Sequence, residues 1–482
     1  MDWTDAMAPL DEPVVGDLNG ANQLGRNRPS PAANAPAADA PLISMAGLQS
    51  VSALTEAFIK VRADSETLAA PLSPEDWMLQ SMEAASPVKW NLAHTTWFFE
   101  TFILKKYKDG YEPFDARYGF LFNSYYNQIG AMYARPHRGM LSRPTADEVL
   151  AYRAHVADAV IALAQNADAS LSERLAPLLA LGCAHEEQHQ ELLLTDIKHA
   201  LHQNPFAVAA YPEPETWGEA VAQPPDPLQH VSWTAFEGGL ATIGVEGEGF
   251  AFDSEGPAHQ VFLKPFALCD RLITNADYLE FMDDGGYDNP QWWLSDGWAR
   301  VQAEDWCAPL YWRGSETGWR TYTLHGETPM PLNAPVTHLS FYEAAAFAEW
   351  TGYRLPTEVE WEVAARAHLE EHGAAALHRG FLNPKQPSPP ASIETSARSE
   401  TGVKQLFGDV WEWTASPYIA YPGYRAAPGA IGEYNGKFMS SQMVLRGGSC
   451  ATPRGHVRPT YRNFFPPHAR WQFSGLRLAR DL

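Results

Sequence analysis

Between Cys183 and Leu201 the chain reads CAHEEQHQELLLTDIKHAL, with His185 and His189 four residues apart, Gln188 between them and Glu191 just beyond. Residues i and i+4 share one face of an α-helix, so both imidazoles point the same way. Their stripe continues through Leu178, Gly182, Leu192 and Leu193. Two neutral metal-ligand candidates therefore stand on the core-facing side of a buried helix, and imidazole suits zinc, iron, copper or nickel. Three readings fit this stretch. One is a pair of core histidines satisfied by hydrogen bonds. A second is hydrolytic, because His185-Glu186-Glu187-Gln188-His189 matches H-E-x-x-H with Glu186 as general base. The third is a redox metal site inside a helix bundle, completed by a ligand from another helix.

Two other stretches bear on that choice. WNLAHTTWFFETFILKKY carries His94 among Trp90, Trp97, Phe98 and Phe102. A lone histidine on an apolar face is most often a core residue bonded to a carbonyl, but beside His185 and His189 it completes a three-nitrogen face. The segment Phe122–Thr145, FNSYYNQIGAMYARPHRGMLSRPT, is dense in Tyr, Arg, Gly and Pro, and irregular loops of this length tend to be functional. Tyr125 and Tyr126 offer phenolic protons, and Arg135 and Arg138 can fork onto a carboxylate. The competing reading is a packed loop with surface arginines.

The elements that must position these residues follow from periodicity. A helical pattern begins near Ile43 and ends near Pro71. Further helices are predicted over Val88–Tyr107, over Ala146–Ala167 behind a Thr145/Glu148 capping box, and over Ser172–His202, stopped by Asn204-Pro205. Four helices describe a bundle, whose interior is where side-chain metal sites are built. Residues 1–42 are rich in Pro, Ala, Asn and Asp without sustained period, which reads as a disordered tail. The bundle is expected over 43–210 and a Pro-rich linker over 211–227. From 228 to 482 the texture changes to short β-type runs (LATIG, QVFLKPFALC, MVLRGG, SGLRLAR), many Gly and Trp, and helices near Ser340–Thr351 and after Pro356. This predicts a multidomain chain, an α bundle followed by an α+β domain.

The bulk numbers set bounds. With 482 residues, two domains and a tail are the natural expectation. A formal net charge of -23 argues against a general nucleic-acid binder and against anionic membranes. The four cysteines, Cys183, Cys269, Cys307 and Cys450, show no C-x-x-C spacing, so neither a disulfide scaffold nor a cysteine zinc site is expected, which suits a reducing cytoplasm. No apolar run is long enough to span a bilayer. Oligomeric state is left open.

The second domain resembles the formylglycine-generating-enzyme and sulfatase-modifying family, a variant of the C-type-lectin fold, through HLSFYEAAAFAEWTGYRLPTEVEWEVAAR, LFGDVWEWTASPY, VLRGGSC and FSGLRLAR. The bundle resembles the DinB superfamily, whose H-x-x-x-H-x-E pattern is His185, His189 and Glu191 here, with His94 upstream. This fusion resembles the sulfoxide synthases of ergothioneine biosynthesis. The resemblance implies that His94, His185 and His189 bind Fe(II), with O2 as oxidant, and it removes the protease reading, leaving Glu186 as a surface or supporting residue. Glu191 is about 200° round the helix from His189, and its role stays open. The implied reaction joins a thiol sulfur to imidazole C2 of hercynine, the trimethylated betaine of histidine, and gives a sulfoxide. The resemblance also makes Tyr125 or Tyr126 the proton donor and Arg135 and Arg138 the grip on the thiol substrate. Gln188 and Asn463 become polar contacts to hercynine, and Phe464 and Phe465 aromatic faces for its quaternary ammonium.

Relatives that take γ-glutamylcysteine carry an acidic residue and an arginine in the C-terminal segment. Aligned on Asn463, this chain has Phe465 and Ala469 there, so free cysteine is the expected thiol, with Arg470, one position off, as the competing contact. Cys450 has no partner cysteine of the kind that binds copper in the formylglycine-generating relatives. The stretch GDVWEW (Gly408–Trp413) belongs to a region that can hold a structural Ca2+ in that fold. A selenium- or histidine-directed homologue, and a lectin-like binding module with a structural metal, are the alternative functions.

Overall fold

The computed structural model describes residues 50–212, 231–245, 249–378 and 402–482. The expected tail over 1–42, and the linker beyond Tyr211 and Pro212, lie outside the described residues. Four long helices make the first part. Val51–Ala69 is capped by the Ser50 hydroxyl, which accepts from the Ala53 amide. Val88–Phe99 is buried at every position, so it is the central rod and shows no amphipathic period. Ala146–Gln165 opens with the predicted Thr145/Glu148 capping box. Ala169–His202 begins three residues before the expected Ser172, because the Asp168 carboxylate accepts from the Leu171 amide and caps the earlier turn. At 34 residues this fourth helix is about 50 Å long.

The second helix does not run unbroken to Tyr107. A π-helical turn occupies Glu100–Leu104 before a last helical turn at Lys105–Tyr107. Glu100 at its start is fully buried and accepts from the hydroxyls of Tyr111 (2.8 Å) and Tyr152 (3.0 Å). A second buried carboxylate corrects the expectation for Glu186. It is not at the surface: it sits between the first, third and fourth helices, accepting from Arg62 (2.9 Å), Arg153 (2.9 Å) and Ser65 (2.8 Å). Burial alone pushes this carboxyl up, but the two guanidinium groups outweigh it and hold the group down at about 2. A carboxylate so committed cannot serve as a general base.

The second part is α+β, as expected. One four-stranded sheet runs in the order Asn463–Phe465, Met443–Arg446, Trp411–Pro417, Ser474–Gly475. A three-stranded sheet joins Trp233–Phe236, Phe266–Cys269 and Ala479–Asp481, so the last strand closes against the first ones of this part. Helices Phe341–Thr351 and Glu358–His372 start at Ser340 and Thr357, each with a capping box. Buried ion pairs pin the irregular segments between strands: Arg462 to Glu358 (2.9 Å), Arg477 to Glu412 (2.9 Å) and Arg446 to Glu362. Within GDVWEW, Glu412 is committed to Arg477. The one group of three or more clustered metal-ligand side chains among the described residues is His94, His185 and His189.

Pro41–Leu482 forms one compact unit. The fourth helix joins its halves through Glu191, whose carboxylate accepts from Trp411 Nε1 (2.7 Å), Ser449 Oγ (2.6 Å) and Thr452 Oγ1 (2.8 Å). Glu187 adds a contact to His456 Nδ1 (2.7 Å). Among the described residues no helix is long and apolar enough to cross a membrane.

Removing the shared carboxylate of a fully buried ion triad strands the two guanidinium groups it pairs. Glu186→Met is therefore expected to cost roughly 3–5 kcal/mol, read from denaturant unfolding. A loss below about 1 kcal/mol would match an exposed pair instead.

Candidate metal centre and substrate site

His94 comes from the second helix and His185 and His189 from the fourth. All three are buried, and one ligand atom of each lies within 4.8 Å of the others. The His185 and His189 rings are perpendicular with centroids 4.7 Å apart, and His94 stands 5.1 Å and 4.9 Å from them.

Neighbouring groups fix which nitrogen faces inward. His94 Nδ1 lies 2.6 Å from the Phe122 carbonyl, an acceptor only, so Nδ1 carries the proton and Nε2 keeps its lone pair. His189 Nδ1 lies 2.9 Å from Asn91 Oδ1. The Asn91 amide is oriented by its own Nδ2, which donates to the Ser86 carbonyl (3.3 Å), so His189 also presents Nε2. Such outer partners set ligand tautomer and direction. His94 Nε2 and both His185 nitrogens are buried without a hydrogen-bond partner, which is costly unless a further group binds there. Burial pushes His94 and His189 well below the ordinary imidazole range and His185 down to about 3. Three neutral imidazoles with free lone pairs fit a first-row divalent metal.

A stack extends the site outward. His94 lies on the Trp90 ring (4.6 Å, 12°), and the Arg138 guanidinium carbon lies 3.3 Å from the centroid of that ring. Arg138 is buried and donates to Ser86 Oγ and Ser124 Oγ, both at 2.9 Å. It forms no ion pair among the described residues. Burial lowers it to about 9, so it stays charged at neutral pH. Arg135 is exposed and donates to the Ala84 carbonyl.

Tyr125 and Tyr126 sit on the same side. The Tyr125 ring is 6.5 Å from His94, edge-on, and its backbone is left-handed (φ 47°). The second part holds that conformation: Lys437 donates to the Tyr125 carbonyl, and Glu433 accepts from the amides of Asn127 (2.6 Å) and Gln128 (3.1 Å). Tyr126 is fully buried, its hydroxyl has no partner, and burial pushes it well above the usual phenol range.

Gln188 donates to Tyr461 OH (2.8 Å) and accepts from Tyr434 OH. Tyr434 itself meets His185 edge-on at 5.4 Å. Asn463, Phe464 and Phe465 form one short strand, so their side chains alternate. Phe464 stacks on Tyr418 (4.0 Å) and Phe438 (5.9 Å), and Phe438 meets the Tyr125 ring at 5.2 Å. Phe465 turns the other way and packs on Trp471 at 5.6 Å. The two phenylalanines thus do not share one wall. Arg470 is held by Glu343 (2.7 Å) and lies over Trp306 (4.2 Å).

Tyr434 and Asn91 were missed from sequence. Asn91 had a usable signal, since it precedes His94 by three residues on one helix face. Tyr434 lies in an irregular Gly-rich segment with no periodicity to expose it. Glu191, whose role was open, is a joint between the halves.

A sulfatase-modifying factor enzyme 1-like domain matches residues 219–482, and the DinB superfamily matches residues 57–193. A hercynine oxygenase of Mycolicibacterium smegmatis is 36% identical over 325 residues, covering 63% of this chain and 71% of that protein. A hercynine oxygenase of Mycolicibacterium thermoresistibile is 33% identical over 421 residues, covering 82% of this chain and 88% of that protein.

The lowered imidazoles carry a pH signature. Below the ordinary value of 6.5 the unfolded chain binds more protons than the folded one, so stability falls as pH drops toward about 3, the value for His185. Metal-free protein should melt at progressively lower temperature from about pH 6.5 downward, with a shallower slope in His185→Leu. Identical slopes would mean that His185 is not buried neutral.

Proposed function

The chain belongs to the hercynine oxygenase family, and from that membership we propose that it is a non-heme iron(II)- and O2-dependent sulfoxide synthase that joins the sulfur of cysteine to imidazole C2 of hercynine. The product is hercynylcysteine sulfoxide. One oxygen atom ends on sulfur. The other leaves as water with the hydrogens lost from the thiol and from C2. The observation that carries the reading is the convergence of His94, His185 and His189, with His94 Nε2 and both His185 nitrogens unpaired, beside a buried arginine that forms no ion pair among the described residues.

His94, His185 and His189 would hold the metal. Bound there, iron(II) would supply the redox chemistry that couples oxidation of the thiol to reduction of O2. Arg138 receives the carboxylate of the thiol substrate, with Arg135 at the rim. A guanidinium already desolvated and held on two serine hydroxyls loses little freedom when it forks onto a carboxylate. Tyr125 is the proton donor, because its ring stands beside His94 and its loop is clamped from the second part. Tyr126, kept protonated by burial, supports it. Gln188 orients the hercynine ring, and Tyr434 and Tyr461 hold the Gln188 amide in place. Phe464, with Tyr418 and Phe438, offers aromatic faces to the trimethylammonium group.

Cysteine is preferred over γ-glutamylcysteine for a steric and electrostatic reason. Phe465 and Ala469 provide no charge to read the extra glutamyl group, and Arg470 is already committed to Glu343. A polar peptide arm placed there would leave its charges unpaired.

The test is product mass after iron-loaded protein and hercynine, mixed anaerobically with cysteine and γ-glutamylcysteine in equal amounts, are exposed to O2. A cysteine sulfoxide adduct is expected. A γ-glutamylcysteine adduct would overturn the thiol assignment, and no adduct with either would overturn the whole reading. Tyr125→Phe should lower the rate of adduct formation by about 10²-fold or more, with a smaller effect for Tyr126→Phe. The reverse order would assign the proton to Tyr126.

A further inference from the structure

Asp196 lies seven residues after His189 on the fourth helix, two turns along the same face. It is buried. Its Oδ2 accepts from the Ser86 amide at 2.8 Å, whereas its Oδ1 is buried with no hydrogen-bond partner. It forms no ion pair among the described residues. The same Ser86 accepts from Arg138 through its hydroxyl at 2.9 Å, and Arg138 Nε is also buried without a partner. One serine therefore carries a carboxylate on its amide and a guanidinium on its hydroxyl, and the two charges do not meet each other. Trp471, the indole that packs on Phe465, acts on Asp196 as a side-chain hydrogen-bond donor, although neither its N–H nor Asp196 Oδ1 makes a close hydrogen bond.

Two opposite charges buried without direct contact compensate each other only in part. Burial pushes Asp196 up to about 7 and Arg138 down to about 9, because the attraction each exerts on the other is weaker than the cost of burying it. A ligand with one anion and one cation on adjacent atoms neutralises both at once. An α-amino acid head group has that form.

Resting on the sulfoxide-synthase reading, we propose that Asp196 binds the α-ammonium of the thiol substrate while Arg138 binds its α-carboxylate, so that Asp196 determines specificity for a free amino acid. In γ-glutamylcysteine the same nitrogen is an uncharged amide, which offers Asp196 one N–H and no charge. Discrimination would then come from a contact that free cysteine gains as well as from those that the longer peptide loses at Phe465 and Ala469.

Asp196 also anchors the Ser86 amide just ahead of the second helix, so a purely structural role is the competing explanation. Asp196→Asn separates the two, because the amide oxygen still accepts from Ser86 and only the charge is lost. Equilibrium binding to iron-loaded protein with hercynine, without O2, is compared for cysteine and for 3-mercaptopropionate, which lacks the ammonium. The variant is expected to raise the Kd for cysteine roughly 10- to 100-fold, to change that for 3-mercaptopropionate by less than about 3-fold, and to raise KM for cysteine without a matching fall in kcat. Equal losses for both thiols would assign Asp196 a structural role. Unchanged cysteine binding in the variant would overturn the proposal and leave the enzymatic reading standing. Wild-type protein that binds γ-glutamylcysteine more tightly than cysteine would also overturn it. Failure of wild-type protein to bind any thiol would remove the enzymatic reading, and this inference with it.

Discussion

A polar helix enclosed by packing on several sides must find a partner for each group it carries, and the segment His185–Glu191 meets that constraint residue by residue. His185 and His189 face the metal centre. Glu186 and Gln190 face the first helix, where Arg62, Ser65 and the Val61 carbonyl answer them. Glu187, Gln188 and Glu191 face the second part, through His456, Tyr434, Tyr461, Trp411, Ser449 and Thr452. Each of these contacts limits rotation of the helix about its axis. The direction of the two imidazoles is therefore set by the seven residues together rather than by the histidines alone.

The same constraint explains what sequence could and could not reveal. The four-residue His spacing, the capping box at Thr145, the helices near Ser340 and after Pro356, and the change of texture after the bundle are local signals, and the structure bears them out. The third histidine of the cluster was legible because His94, in an apolar helix, completes a three-nitrogen face beside His185 and His189. Glu186 stays divided in the sequence between a surface and a supporting position, because a solvent-facing residue and a buried ion triad look alike in one strand of sequence. The difference lies in Arg62 and Arg153, distant in the chain. The π turn at Glu100–Leu104 and the Tyr434 contact left no periodic trace at all. Phe464 and Phe465 were taken together as one aromatic face, whereas strand alternation separates them.

The second part reaches the site through irregular backbone. Such segments carry few ladder hydrogen bonds, and here arginine side chains supply replacements. Arg446 donates to the carbonyls of Thr460 and Tyr461, Arg462 to those of Ser254 and Ile419, and Arg477 to those of Cys269 and Lys404. Each is also paired with a buried glutamate. Such pairs contribute little net stability because desolvation offsets attraction. Their effect is geometric, since a planar guanidinium fixes several carbonyls in relation to one carboxylate. Tyr461, Asn463 and Phe464 follow directly from segments pinned in this way.

Joining the halves through Glu187, Gln188 and Glu191 has a consequence for recombination. These three residues belong to the bundle by chain position but answer donors and acceptors in the second part. A chimera that exchanged the second part between relatives at the linker would leave them facing foreign neighbours. The helix that bears the imidazoles would then meet mismatched groups, and the damage would be felt at the three-histidine cluster although none of its histidines had changed. A transplantable unit has to include both the second part and the outward residues of His185–Glu191, so that the natural seam for swapping lies inside the helix rather than between the domains.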